Sequence, residues 1–163
     1  MTVTVRAATA QDAFTICTIH NQGIVDRVAT LDTATRTPDD VGEWLADHGS
    51  RHPVIVATDG ESVVGWASLN RFNPRPAYDH VADFSVYVER DWRGKGIGRQ
   101  LLDTLVELAR QIGFHKMVLS ALASNDAGIR LYSRAGFSPV GVYREQGQLD
   151  GKWVDTVIME KLL

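Results

Sequence analysis

The chain has 163 residues, 44% of them apolar and 23% charged, and its net charge of −3 leaves no basic surplus to neutralise a phosphate backbone. This composition argues against a general nucleic-acid binder, and no apolar run approaches the roughly 18 residues of a membrane span. We expect one cytoplasmic domain over residues 1–163, because the N-terminus lacks a signal-peptide pattern and the lone cysteine, Cys17, cannot form an internal disulfide.

The first half of the chain predicts a strand, two helices and a hairpin. Residues 2–8 alternate like a strand, and a helical stretch follows over about 10–27. A second helix is expected to begin at Pro38, with acidic residues in its first turn, and to stop near Gly49. Residues 53–72 are typical of a hairpin, because two β-rich runs flank an Asp-Gly turn pair.

The second half alternates strands with helices and ends on another hairpin. The predicted elements are a strand over 80–89, a helix from Ile97 to Ile112, a strand over 116–122, a helix over 125–136, and strands over 137–145 and 152–162. Together these elements predict an α/β (α+β) fold, in which a mixed, mostly antiparallel twisted sheet of about seven strands is flanked by four helices.

The stretch WRGKGIGR (92–99) is the first candidate site, because three alternate glycines stand among basic residues just before a predicted helix. A helix N-terminus presents unpaired N–H groups and the positive end of the helix dipole, so phosphate oxygens suit this position. By itself the stretch is equally typical of a basic surface turn. A Walker loop needs Ser or Thr after Gly-Lys, and a Rossmann loop needs G-x-G-x-x-G, so neither nucleotide motif fits.

Two motifs resemble the GNAT superfamily of N-acetyltransferases: VYVERDWRGKGIGRQLL (86–102) is similar to its acetyl-coenzyme A signature, and ALASNDAGIRLYSRAGF (121–137) to its second motif. The resemblance covers essentially the whole chain and implies the GNAT fold, with acetyl-CoA as cosubstrate. The residues that it implies for binding acetyl-CoA are Val86, Val88, Arg93, Gly94, Lys95, Gly96, Ile97, Gly98, Arg99, Asn125 and Tyr132.

A narrower resemblance concerns the acceptor. Segments 20–40, 71–88 and 151–161 are similar to phosphinothricin and methionine sulfoximine N-acetyltransferases, and PRPAYDHVADFSVYV (74–88) to the branch that acetylates arsinothricin. The resemblance implies acetylation of the α-amine of small amino-acid analogues, which gives resistance to these toxins. It also implies a homodimer, with the segment around Val157 close to the neighbouring subunit's substrate.

Asp83 and Tyr132 are the predicted catalytic residues. An amine attacks a thioester only as the free base, so the site needs a proton acceptor. Asp83 stands where the phosphinothricin branch carries a longer glutamate, which favours a water relay, or it merely holds the substrate. His80 is the alternative base, although strand alternation places it on the opposite face from Asp83. Tyr132 matches the superfamily tyrosine that protonates the leaving thiolate, its alternative role being a core aromatic.

Arginine residues near 71–75 are the candidates for binding an anionic substrate. Arg75 matches an arginine of the phosphinothricin branch that grips a carboxylate or phosphinate. That branch has a second arginine where this chain has Asn73, so Arg71 is the expected replacement. Tyr78 is expected at the side of the same pocket. The alternative is a pair of solvated loop arginines.

We expect no metal, because no pair of histidines has metal-ligand spacing with a carboxylate; His20, His48, His52 and His115 are expected at surfaces or interfaces. Cys17 lies in an apolar helical setting that raises a thiol pKa, which favours direct attack in a ternary complex over an acetyl-enzyme. Two alternatives remain open: acetylation of protein N-termini or polyamines, which would need an open or acidic groove, and a non-catalytic coenzyme A-binding sensor.

Overall fold

The computed structural model describes residues 2–163, which form one seven-stranded sheet with four α-helices around it. The strands are β1 (Val3–Ala7), β2 (Val54–Asp59), β3 (Ser62–Arg71), β4 (Val81–Val88), β5 (Lys116–Leu122), β6 (Ser138–Leu149) and β7 (Lys152–Leu162). The helices are α1 (Ala13–Val25), α2 (Pro38–Asp47), α3 (Ile97–Ile112) and α4 (Asp126–Arg134). The strand order across the sheet is β1-β2-β3-β4-β5-β7-β6, and only β4 and β5 pair in parallel. The predicted fold class is confirmed.

A capping box precedes each of the first two helical segments. The Asp12 carboxylate accepts from the Thr9 N–H at 2.7 Å, and the Thr37 hydroxyl accepts from the Asp40 N–H at 3.2 Å, directly before Pro38. Ala10–Asp12 forms a 3₁₀ turn, so α1 begins later than the predicted helix over about 10–27, and it also ends earlier, at Val25.

Each face of the sheet carries its own apolar core. On one face α3 buries Leu101, Leu102, Leu105 and Ala109 against β3, β4 and β5. On the other face α1 and α2 pack on β2 and β3 through Ile16, Cys17, Ile19, Val41, Val56 and Trp66. Cys17 is 3% exposed, and burial raises the pKa of its thiol, in agreement with the predicted apolar setting.

The centre of the sheet opens between β4 and β5. These strands pair only over Val81–Asp83 and Lys116–Val118. Beyond Asp83, β4 continues along β3 to Val88 while β5 continues along β7, so the two strands diverge. The opening exposes one backbone edge of β4, and every predicted catalytic residue lies beside it or across from it.

Candidate active site

The gap between β4 and β5 continues into a cavity of about 500 Å³. Val86, Tyr87 and Val88 of β4 line one side, the glycine stretch lines the end, and α4 lines the opposite side. Because β4 has no partner strand along this edge, its backbone N–H and C=O groups are available to an extended ligand. The cavity therefore suits a long, flexible molecule that ends in an anion.

The glycine stretch forms the end of this cavity that is suited to bind an anion. Gly94 and Gly96 adopt left-handed conformations, with φ of +77° and +85°, and Gly96 is the N-cap of α3. The first intrahelical bond runs from the Gln100 N–H to the Gly96 carbonyl at 3.1 Å, so the N–H groups of the three residues between them have no helical partner. A Cβ on Gly98 would lie 3.3 Å from Leu131 of α4, so this glycine allows the close approach of α4. The stretch presents backbone donors at the positive end of a 16-residue helix.

The three predicted cations around the glycines all have partners within the chain. The Arg93 guanidinium donates to the Asp26 carboxylate at 2.9 Å, and Arg99 donates to an aspartate one turn along α3 at 2.8 Å. The Lys95 ammonium lies 5.0 Å from the centre of the Trp92 ring. Arg93 and Arg99 line the cavity, whereas Lys95 does not.

Asn125 and Tyr132 reach the cavity from α4. The Asn125 side chain caps the helix, accepting from the Gly128 N–H at 3.0 Å, and it also lines the cavity. The Tyr132 ring packs edge-on against Phe84, with ring centres 5.8 Å apart. Burial, with smaller contributions from the charges of Tyr87 and Asp83, raises the pKa of Tyr132 to about 12. The phenol therefore stays protonated at neutral pH and can donate its proton.

Asp83 lies half-buried on the other face of β4, directly across from Asn70 of β3. Burial raises the pKa of the Asp83 carboxyl to about 6, although the Phe84 N–H and the Asn70 side chain stabilise the charged form. At this pKa the group is ionised at neutral pH and still accepts a proton readily. His80 lies one residue before β4, is exposed and lines no cavity described here.

A second cavity of about 240 Å³ lies on the same face as Asp83, between α1, α2 and the sheet. Its lining residues are Ile16, His20, Asp32, Arg36, Val41, Trp44, Trp66, Asn70, Ser85 and Tyr87. Tyr87 lines both cavities, so the two cavities meet at this residue. A Cβ on Gly23 would lie 3.1 Å from that ring, and glycine at this position lets Tyr87 lie against α1.

His20 was expected at a surface or an interface, and the structure places it in the lining of the second cavity. Its ring is half-buried and lies 5.1 Å from Tyr87 and 6.0 Å from Trp66, measured between ring centres. The sequence contained the signal, because position 20 is one helical turn after the buried Ile16 and shares its face. Tyr87 and Trp66, which sequence reasoning also left out, carried no polar motif that would have marked them.

None of the five predicted substrate-binding residues lines either cavity: Asp83 lies beside the second cavity, and Arg71, Arg75, Tyr78 and Val157 lie elsewhere. Arg71 follows Asn70 on β3 and so faces the other side of the sheet. Its guanidinium donates to the Pro74 carbonyl at 3.1 Å.

The other three are spread over two parts of the chain. Arg75 and Tyr78 are exposed in the segment between β3 and β4. Val157 is partly buried on β7, opposite Ala121 and Val142. Within one subunit the structure thus brings Asp83 near the second cavity but not the predicted arginines.

The arrangement suits a group transfer. Asp83, with a pKa of about 6, pairs across the strands with Asn70, which lines the second cavity, and the protonated phenol of Tyr132 lines the first. One group can accept a proton from a nucleophile while the other protonates a leaving group. Within residues 2–163 no group of three or more His, Cys, Asp or Glu side chains is placed to hold a metal ion. Over the same range no helix has the length and apolar character needed to cross a membrane.

Comparison with known proteins gives a consistent result. The model of the Acetyltransferase (GNAT) family matches residues 23–137. The chain is 34% identical to an L-methionine sulfoximine/L-methionine sulfone acetyltransferase of Pseudomonas aeruginosa, over 98% of this chain and 94% of the relative.

Two crystal structures are similar over nearly their whole length. A GNAT superfamily phosphinothricin acetyltransferase of Sinorhizobium meliloti in complex with acetyl-CoA has a TM-score of 0.94 at 31% identity, covering 100% of this chain and 89% of that one. A ribosomal-protein-alanine N-acetyltransferase of Brucella melitensis has a TM-score of 0.95 at 34% identity, covering 98% and 99%.

Proposed function

Because the chain belongs to the acetyltransferase (GNAT) family, we propose that it transfers the acetyl group of acetyl-CoA to the α-amine of small amino acids of the phosphinothricin and methionine sulfoximine type. The observation that carries the choice of acceptor is the second cavity, whose 240 Å³ or so suits one free amino acid beside the donor cavity. A peptide or polyamine would call for an open or acidic groove, whereas the single acid of this cavity, Asp32, is paired with Arg36. Arsinothricin, the arsenic analogue of phosphinothricin, belongs to the same class.

The residues divide the reaction between the two cavities. The N–H groups at the start of α3 bind the pyrophosphate of the donor, and the open edge of β4 at Val86 and Val88 holds its pantetheine arm. Asp83, directly or through a water molecule, accepts a proton from the acceptor's ammonium group. The freed amine forms a bond to the acetyl carbon as the bond from that carbon to sulfur breaks. Tyr132 donates its proton to the sulfur, and the second proton that the nitrogen loses restores the Tyr132 phenol. Cys17 is buried and its pKa is raised, which supports direct transfer without an acetyl-enzyme.

Arg75 remains our proposal for the residue that binds a carboxylate. Its guanidinium forms no ion pair with any residue of the range 2–163, so it is available to a substrate that extends out of the cavity. Arg71 and Tyr78 remain candidates beside it, as does Val157 from a neighbouring subunit.

A homodimer is the corresponding proposal for the assembly. β6 and β7 expose several large apolar side chains, namely Val140, Val142, Tyr143 and Trp153, which a second copy would cover. Light scattering of the purified protein tests this proposal: a mass of twice 18.0 kDa supports it, and a monomer contradicts it.

The acceptor proposal is tested by thiol release. Purified protein with acetyl-CoA is given phosphinothricin, methionine sulfoximine or arsinothricin, and we expect free coenzyme A and an equal amount of N-acetylated product by mass spectrometry. A peptide with an N-terminal alanine serves as the parallel acceptor, because one similar structure is a ribosomal-protein-alanine N-acetyltransferase. Turnover of the peptide alone would favour the protein N-terminus as acceptor. Coenzyme A binding without turnover of any acceptor would favour the sensor.

A further inference from the structure

Two side chains that line the second cavity each carry a buried polar atom that has no hydrogen-bond partner. They are the ring nitrogen Nε2 of His20 and the indole nitrogen Nε1 of Trp66, and within residues 2–163 the only other side-chain atom in this condition belongs to Thr156, which lines neither cavity. An indole N–H can only donate, and leaving it buried and unpaired is costly. Two such atoms in side chains of one cavity indicate that a ligand with an accepting group completes it.

The surroundings of these two atoms are aromatic. The Trp66 ring stacks on Tyr87 with centres 5.0 Å apart and an angle of 17°, and Trp44 meets Trp66 edge-on at 5.5 Å. Ile16 and Val41 add aliphatic surface. An occupant therefore needs an apolar body around its accepting atom.

The cavity carries no net charge. Its charged lining residues are Asp32 and Arg36, whose side chains lie 3.8 Å apart and are 52% and 47% exposed. Burial and the nearby Arg36 lower the pKa of His20, so its ring is neutral at neutral pH. An anionic head would lose its water here without meeting an unpaired cation, which disfavours its binding. An uncharged head that bears oxygen meets no such penalty.

We propose that His20 and Trp66 select the acceptor, by hydrogen bonding to an uncharged, oxygen-bearing group at the end of its side chain while Trp44 packs against the carbons beside that group. This inference rests on the proposed function and names the substrate class within it: amino acids with sulfone, sulfoximine or amide-like heads are preferred over those with phosphinate or other anionic heads. Trp66 supplies a donor, and the neutral His20 ring supplies a donor or an acceptor.

The test compares L-methionine sulfone, with an uncharged head, and phosphinothricin, with an anionic head, in the wild type and in two variants. Trp66→Phe and His20→Phe retain aromatic packing and remove one hydrogen-bonding atom each. The control variants are His115→Phe and Phe14→Leu, both at exposed positions outside the two cavities.

We expect the wild type to favour methionine sulfone in kcat/KM by at least about tenfold. Each variant should raise KM for methionine sulfone about tenfold, the usual effect of one lost hydrogen bond, and leave kcat and the KM for acetyl-CoA nearly unchanged. KM for phosphinothricin should change by less than about twofold, and the controls should match the wild type. Calorimetric binding of methionine sulfone to the protein–coenzyme A complex should weaken by the same factor.

The outcomes separate this inference from the proposed function. Turnover of both amino acids with unchanged KM in both variants would overturn the role of His20 and Trp66 and leave the proposed function intact. A wild-type preference for phosphinothricin over methionine sulfone would likewise overturn the role of His20 and Trp66 and leave the proposed function intact. Acetyl-CoA binding without turnover of any amino acid would refute the proposed function, and the inference with it. If Trp66→Phe does not fold, His20→Phe decides, because His20 is only half-buried and its loss leaves the core intact.

Discussion

Replacing Asp83 by asparagine should lower activity and at the same time stabilise the protein at neutral pH. The two side chains have nearly the same shape, so the substitution removes the ionisation and leaves the packing. Burial raises the pKa of the Asp83 carboxyl from 3.8 to about 6. The folded protein therefore binds the proton more tightly than the unfolded chain does, and ionising Asp83 costs stability.

The size of this cost follows from the shift. About two pKa units correspond to about 3 kcal/mol, and this value is an upper figure because Asp83 keeps some contact with water. The stabilising contribution of the protonated group is fully present below pH 3.8 and is lost as the pH rises through about 6. Asparagine does not titrate, so the difference in unfolding free energy between variant and wild type should grow by about 2–3 kcal/mol between pH 4 and pH 7.

Urea denaturation at a series of pH values measures this difference directly, since all other groups titrate alike in both proteins and cancel. Asp47→Asn is the matched control, because it makes the same substitution at an exposed position at the end of α2. In the wild type kcat/KM should rise with pH to a plateau above about 6, and Asp83→Asn should lower the plateau by about 10²- to 10⁴-fold.

Two results would refute the reasoning about Asp83. A stability difference that is constant from pH 4 to pH 7 would show that the carboxyl is not desolvated in the folded protein. A variant whose kcat/KM stays within about tenfold of the wild type would exclude Asp83 as the proton acceptor, because general-base catalysis usually contributes more.

Three further predictions concern the donor cavity. Tyr132→Phe should lower kcat about a hundredfold and leave KM for acetyl-CoA unchanged in steady-state assays; an unchanged kcat would remove its role as the acid. Gly96→Ala places a Cβ at φ +85° and should cost about 1–2 kcal/mol in thermal denaturation and weaken coenzyme A binding, whereas Gly42→Ala, in the open middle of α2, should gain about 1 kcal/mol. Equal melting temperatures would contradict the assigned strain. Asp26→Asn releases Arg93 and should tighten coenzyme A binding severalfold by calorimetry; weaker binding would show that Asp26 positions the arginine for its ligand.

Local signals explain why most of the fold could be predicted. The Thr37-Pro38 cap, the hairpin over 53–72 and the glycine end of α3 each depend on residues within one turn or one hairpin. β6 was predicted over 137–145 but runs to Leu149, because an irregularity near Glu145, with φ +52°, interrupts the alternation that marks a strand.

The first cavity, proposed to bind the donor, could be anticipated from the sequence. The second cavity, proposed to bind the acceptor and here called the acceptor cavity, could not. The glycine stretch and the motif containing Asn125 and Tyr132 are compact in sequence, so their residues could be identified before their positions in space were known. His20, Trp44 and Trp66 are more than 20 residues apart and meet only when α1 and α2 pack on the sheet. Helical periodicity predicts that such side chains are buried, but it does not reveal that two of their nitrogens lack a partner.

Helix α1 contributes lining residues to both cavities. His20 lies in the acceptor cavity, and six residues later, about 9 Å along the helix axis, Asp26 holds Arg93 at the donor cavity. Gln22 fastens the same helix to the segment after β4, through Glu89 and Arg90 at 2.9 Å each. A donor that draws Arg93 away from Asp26 loosens one of these attachments and alters the helix that shapes the acceptor cavity. Each substrate would then change the affinity for the other by the same factor.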